Sequence, residues 1–446
     1  MMEKEPMGKD INFAPYHRAL RDIDPLARCG RVVKLVGLTV EATGPTSKIG
    51  DICQVYALKH DTFIRAEVVG FREDRVLLMP FGSTDGIGLG SLVVSLGMSL
   101  RVGVGKGYIG RVLDALGQPM DGSAAPTPEA WYPVDADPPN PLKRQRIHEV
   151  MPLGIKSIDG LLTVGRGQRL GIFSGSGVGK STTLGMIARG AEADINVISL
   201  VGERGREVRD FIERDLGEEG LKKSVLVIAT SDQPALLRLK SAMVATAFAE
   251  YFRDQGYKVL MLMDSLTRYA MAQREIGMAT GEPPVSRGYP PSVYTVLPRL
   301  LERSGTSDKG SITGLYTVLV EGDDMNEPIS DTVRGIVDGH IVLSRRIANS
   351  NHYPPVDVLQ SVSRVMTEIV SPEHLKAAGQ VKSMLAVYQE AQDLINIGAY
   401  QKGANPEIDR AVALHGPLQQ FLRQDVQDYL TFEDTVQTMS AIVSGP

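Results

Sequence analysis

The sequence predicts an α/β core set between a small N-terminal β-barrel and a C-terminal helical region. Three observations predict it. From residue 98 to 366, continuously apolar strand-like runs alternate with helical patterns. Ahead of them, residues 26–97 carry short runs of period two punctuated by glycines. Behind them, residues 367–446 return to helical spacing. A chain of 446 residues suggests two or three domains. Its 43% hydrophobic and 23% charged content is that of an ordinary soluble globular protein. A net charge of −5 points away from wholesale nucleic-acid binding. Cys29 and Cys53 form no metal spacing and need no disulfide, so both are expected to pack as small apolar groups in a reducing compartment. No apolar run approaches the ~18 residues of a membrane helix, and the N-terminus lacks a secretory h-region, so the expected location is the cytoplasm.

Residues 1–25 are polar apart from Phe13, Tyr16, Leu20 and Ile23, whose spacing predicts a short amphipathic helix, with Pro15 suited to its first turn. Such a stripe is a liability when exposed, so a partner's groove is its expected seat, the alternative being its own barrel. In residues 26–97, runs such as Ile64-Arg65-Ala66-Glu67-Val68 alternate in polarity; about six such strands in so short a stretch suggest a closed barrel, with no catalytic constellation in it. In the core, strands are expected over 170–173, 197–201, 225–229, 259–263, 312–320 and 340–343, with a helix over 236–251. Toward the C-terminus, Val381, Met384, Leu385, Tyr388, Ala391 and Ile395 form one helical stripe ended by Gly398.

The most informative stretch is Ser174-Gly175-Ser176-Gly177-Val178-Gly179-Lys180-Ser181, followed by Thr182. It lies between a strand and a helix, the context that turns this spacing into a phosphate cradle. Its glycines let successive N–H groups point at one anion, and the helix N-terminus adds partial positive charge. Lys180 is expected to reach the β- and γ-phosphates of ATP and Ser181 to sit on Mg²⁺. Ser174 departs from the pattern, which has glycine there. Two further strands end in acids: Glu203 after 197–201 and Asp264 after 259–263. Ligands gather at the carboxyl ends of parallel strands, so both acids should emerge beside the phosphate loop. Asp264 is expected to hold the Mg²⁺, although its place before Ser265-Leu266-Thr267 also suits a helix cap. Glu203 is the candidate to deprotonate or orient the attacking water.

With these motifs on the page, a family resemblance is plain. The phosphate loop, Gly202-Glu203-Arg204-Gly205-Arg206-Glu207, Asp264-Ser265-Leu266-Thr267-Arg268 and His352-Tyr353-Pro354-Pro355-Val356-Asp357 resemble the catalytic subunits of rotary ATP synthases. Ser231-Asp232-Gln233-Pro234 and residues 320–328 resemble the ATPases of type III export systems, and Glu41-Ala42-Thr43-Gly44 and Ile397-Gly398-Ala399-Tyr400 resemble the flagellar branch more than the virulence-injectisome one.

The resemblance covers the chain from about residue 26 onward and implies a RecA-like P-loop NTPase core that hydrolyses ATP with Mg²⁺ to drive protein export. It implies that Arg204 lies near the γ-phosphate, that Tyr353 packs on the adenine with Tyr400 closing the other side, and that Arg364 is inserted toward a neighbouring subunit's γ-phosphate. It further implies a head-to-tail homohexamer and a stalk-like regulator or stator bound through residues 1–25. Export-gate membrane proteins and chaperone–cargo complexes are the remaining partners, with the protein peripheral at the inner membrane through them. An injectisome ATPase, a rotary synthase or pump subunit, and a hexameric RNA translocase are the alternatives. The sparse aromatics of 26–97, with basic residues interleaved among acids, argue against the last, and no nucleic-acid partner is expected.

Overall fold

The computed structural model describes Phe13 and residues 29–59, 62–320, 322 and 324–445. The expected amphipathic helix of residues 1–25 therefore lies outside the described residues, save for an exposed Phe13. The chain divides into two compact units between Met98 and Ser99.

In the first unit, β1 (Cys29–Val36), β2 (Thr39–Ala42), β3 (Asp51–Tyr56), β4 (Phe63–Arg72), β5 (Arg75–Pro80) and β6 (Leu92–Ser99) close into a barrel in the order β1-β2-β5-β4-β3-β6. The period-two pattern turns Val40, Ala42, Cys53, Val55, Ala66, Val68 and Leu78 inward. Closure leaves no sheet edge to protect. Cys53 behaves as the expected apolar filler, and burial pushes its thiol up to about 11. Cys29, by contrast, is exposed at the start of β1, because only one face of that strand contributes to the core.

The second unit opens with β7 (Arg101–Val104), β8 (Val112–Leu113) and β9 (Ala130–Pro133), β7 pairing with β9. Its main sheet adds β10 (Arg169–Ser174), β11 (Ile195–Glu203), β12 (Ser224–Thr230), β13 (Lys258–Asp264), β14 (Gly305–Thr306), β15 (Ser311–Leu319), β16 (Gly339–Leu343) and β17 (Val362–Ser363). The order is β8-β12-β11-β13-β15-β10-β16-β17, with β14 beside β15. From β8 to β16 the pairing is parallel; only β14 and β17 run against it. Strands β10 to β13 and β15 are almost wholly buried, which is why they read as unbroken apolar runs. The predicted helix of 236–251 spans Ala235–Asp254.

The helices Pro372–Asn396, Pro406–Leu422 and Phe432–Ser444 make up the predicted helical region. Val381, Leu418, Phe421 and Met439 share one core with Ile158, Leu161 and the sheet. Composition marks a change near residue 367, but packing places these helices in the same compact unit as the sheet.

Candidate active site at the carboxyl edge of the sheet

Parallel pairing sets the site. Ser174 lies level with Leu319, Met263 with Tyr316, and Leu200 with Asp264, so these strands end at one edge, with β11 running on to Glu203. Ser174, the departure from the glycine pattern, is the last residue of β10 and is buried, its carbonyl accepting from Val320 N at 3.0 Å. Strand backbone there needs no glycine. Gly177 and Gly179 do need to be glycine, with φ of 75° and 89°. The helix Lys180–Gly190 starts directly behind them, aiming its free N–H groups into the loop. Val178 turns its side chain into the core, so it offers the loop only its backbone.

Lys180, Glu203 and Asp264 converge. The Lys180 ammonium lies against Asp264 Oδ1 and 3.6 Å from Glu203 Oε1. Thr317, on β15 between the strands of the loop and of Asp264, donates to Asp264 Oδ1 at 2.7 Å. The cap reading of Asp264 is resolved: Ser265 caps the helix Leu266–Thr280 by accepting from Arg268 N, leaving Asp264 to face the lysine. Burial and the neighbouring Asp264 push the Glu203 carboxyl up to about 7, against the pull of Lys180. Burial works against the Lys180 charge, yet Asp264 and Glu203 together raise its pKa. Ser181 lies next along the helix. Among the described residues no three His, Cys, Asp or Glu side chains group to hold a metal. One hydroxyl and one carboxylate are hard donors that suit Mg²⁺, which keeps waters and phosphate oxygens as its other ligands.

A cleft of about 660 Å³ opens over Lys180, Ser181 and Glu203, large enough for a nucleotide. Gly175, Ser176, Gly177, Gly179, Lys180, Ser181, Thr182, Glu203 and Arg204 all line it. Arg204 stands on the rim, largely exposed and 3.6 Å from Glu207. The Tyr353 ring lies over the loop, 3.3 Å from where a Cβ on Gly179 would sit. Its segment docks on the helical region: Tyr353 O accepts from Gln424 N, and His352 meets Gln419 at 2.9 Å.

Two predicted residues lie elsewhere. Tyr400 is outside the cleft lining, its hydroxyl bonded 2.9 Å from both Asn405 O and Asp409 Oδ1. Arg364 follows β17, which pairs with the start of β16, so it is exposed at the amino edge of the sheet. The length of β10, about 16 Å, separates that edge from the phosphate loop.

Sequence reasoning missed Thr317, Arg268 and Arg345. Thr317 sits inside an apolar run, where only the strand order reveals its neighbour. Arg268 was visible in the Asp264–Arg268 motif. It lines the cleft with a buried Nε that has no hydrogen-bond partner among the described residues, against the Gly202 backbone. Arg345 enters the cleft from the segment after β16.

Residues 32–97 match the model of the ATP synthase alpha/beta family, beta-barrel domain; 154–363 match its nucleotide-binding domain; and 370–441 match the T3SS EscN ATPase C-terminal domain. The flagellum-specific ATP synthase of Bacillus subtilis is 56% identical, with 95% of this chain and 97% of the relative covered. The type 3 secretion system ATPase of Xanthomonas euvesicatoria is 49% identical over 93% and 94%. In structure, the assembled ATPase EscN of enteropathogenic E. coli, in complex with its central stalk EscO, matches with a TM-score of 0.86 and 46% identity, over 93% of this chain and 100% of that one. The chain therefore belongs to the family of flagellum-specific and type III secretion ATPases, whose barrel and nucleotide-binding domains are those of the ATP synthase alpha/beta family.

Proposed function

We propose that this chain hydrolyses ATP as a homohexameric ring and thereby energises protein export through a flagellar type III apparatus. The observation that carries hydrolysis is the convergence of Lys180, Asp264 and Glu203 beside the phosphate loop. Lys180 binds the β- and γ-phosphates, and Ser181 with Asp264 would hold Mg²⁺, which would supply charge neutralisation on the phosphates. Glu203, its carboxyl raised into the neutral range, takes a proton from the attacking water. Tyr353 packs on the base, Arg204 and Arg268 face the terminal phosphate, and Thr182 and the loop backbone hold the rest. The flagellar assignment is favoured by the higher identity to the flagellum-specific relative.

The ring reading rests on Arg364. A guanidinium at the far edge of its own sheet cannot serve its own phosphate loop, whereas a head-to-tail ring presents it to the next one. Such fingers contribute roughly 10³–10⁵ in rate in other nucleotide hydrolases. An assembled relative bound to a central stalk supports both the ring and a stalk partner. Residues 1–25 are proposed to bind a regulator that holds the ATPase near the membrane export gate, where chaperone–cargo complexes arrive. Among the described residues no helix is long and apolar enough to cross a membrane, which suits attachment through partners.

The experiment is subunit mixing. Arg364→Ala and Lys180→Ala should each be nearly inactive alone, and rings containing both should regain activity, because some interfaces then pair an intact Lys180 with an intact Arg364. Absence of rescue in rings shown to be mixed would refute a finger supplied in trans.

A further inference from the structure

The amino edge of the sheet shows what holds Arg364 in place. We propose that Asp338 and Arg169 are positioning residues for Arg364: their ion pair fixes the backbone from which Arg364 projects toward the neighbouring subunit. This rests on the reading of Arg364 as a finger acting in trans.

Asp338 immediately precedes β16 and Arg364 immediately follows β17, where Gly339 pairs with Ser363. Arg364 N donates to Asp338 O at 3.1 Å, and the buried Gln168 amide donates to the same carbonyl at 3.0 Å and to Ser363 Oγ at 3.1 Å. Asp338 is itself clamped from β10. Its N–H donates to Arg169 O at 2.8 Å, and its Oδ2 accepts from Arg169 N at 3.1 Å. Its carboxylate also takes Arg169 Nε at 3.1 Å and Nη2 at 3.2 Å as a fork. The third nitrogen of that guanidinium meets Glu302, which Arg144 also contacts at 3.3 Å.

The Arg169 and Asp338 side chains are only 15% and 30% exposed, so this is not a solvated surface pair of negligible worth. A finger works only if its guanidinium arrives in register, and a 1 Å misplacement can cost about 10²-fold in rate. Arg364 itself is exposed, so its own subunit offers it little to rest on beyond this anchored backbone.

A purely structural role would act differently. Arg169 begins the strand that ends in the phosphate loop, so loss of the pair could instead disturb the loop of the same subunit. The two cases harm opposite partners, and mixed rings separate them. Asp338→Asn keeps the backbone hydrogen bonds and removes the charge; Arg169→Lys breaks the fork from the other side.

For each variant, ring formation is checked by size and ATP affinity by titration, and hydrolysis is then measured after mixing. We expect homogeneous Asp338→Asn rings to bind ATP within about twofold of wild type and to lose at least tenfold in kcat. Mixing with Lys180→Ala should restore activity, because the intact loops of Asp338→Asn then meet well-placed fingers. Mixing with Arg364→Ala should restore none, because both subunits then offer poor fingers. The reverse pattern, rescue by Arg364→Ala but not by Lys180→Ala, would show damage to the subunit's own loop and overturn the inference. So would wild-type kcat in both Asp338→Asn and Arg169→Lys. The Lys180→Ala with Arg364→Ala pairing tests the finger separately: if it fails to rescue, the trans reading itself falls, whatever Asp338 does.

Discussion

Glu203→Gln should both inactivate the enzyme and stabilise it. The amide keeps the shape of a side chain that is 13% exposed, and it removes the carboxylate that faces Asp264 and Lys180. Loss of a general base lowers kcat by about 10²–10⁴, or roughly 3–5 kcal/mol of transition-state stabilisation. The effect on stability has the opposite sign. Burial and Asp264 raise the Glu203 carboxyl from 4.5 to about 7. Below pH 4.5 the folded and unfolded chains both hold the proton, and the group is neutral to stability. Between 4.5 and 7 only the unfolded chain releases it, so stability falls as pH rises; above 7 the cost is constant. A rise of that size corresponds to about 3 kcal/mol, which the glutamine does not incur. In nucleotide-free protein at pH 8, the variant should therefore melt higher by on the order of 5 °C, and the difference should vanish toward pH 4.5. In the wild type, kcat/KM should climb with pH through a midpoint near 7, and the variant should lack that rise. The assays are ATP turnover against pH and thermal melts at pH 5 and pH 8. A variant that kept more than about a tenth of wild-type kcat, or that melted lower than wild type at pH 8, would refute the reasoning: Glu203 would then be a stabilising partner of Lys180 and not a strained base.

Tyr353→Ala should raise KM for ATP about tenfold with kcat largely kept, because a stacked base is worth about 1–3 kcal/mol, and Tyr400→Ala should change KM less, its hydroxyl being committed to Asn405 and Asp409. Asp264→Asn should abolish Mg²⁺-dependent hydrolysis while leaving nucleotide binding measurable in EDTA, read by titration with a fluorescent ATP analogue. Deleting residues 1–25 should leave the fold and basal ATPase intact and abolish co-purification of the regulator, and Phe13→Asp with Leu20→Asp should mimic it, since burying either carboxylate unpaired would cost several kcal/mol (roughly); undiminished binding would place the stripe on the chain's own barrel.

Lys180, Ser181, Glu203 and Asp264 were legible because a parallel sheet converts one-dimensional punctuation into three-dimensional convergence. Each follows a run too apolar to lie anywhere but between two layers, and parallel strands end at a common edge. The barrel was legible for a related reason: period two with frequent glycines describes short strands half-buried around one small core. The misses share a different cause. Thr317 matters only because β15 lies between β10 and β13, and no pattern within one strand reports its neighbours. Cys29 looked like core until the strand showed which face it turned. Tyr400 was assigned by family likeness alone, and likeness does not report its local partners, Asn405 and Asp409.

Tyr353 and Arg364 show how far the argument from order extends. Both belong to the connection between β16 and the residue after β17, and motif likeness alone assigned them to nucleotide sites. The connection leaves β16 at the carboxyl edge, where Ser344 N bonds Pro355 O and the Tyr353 ring covers Gly179. It then returns along β16, with Asp357 N on Val342 O and Ser361 Oγ beneath Val342 N, and reaches the amino edge at β17. A single connection thus takes its aromatic to the subunit's own phosphate loop and its arginine away from it. Residues so near in sequence reach opposite edges because an antiparallel return strand is laid on the edge of a parallel sheet. On the proposed reading of Arg364, an isolated subunit, though it holds its own phosphate loop, should therefore turn over slowly until a second copy brings its Arg364 to the cleft.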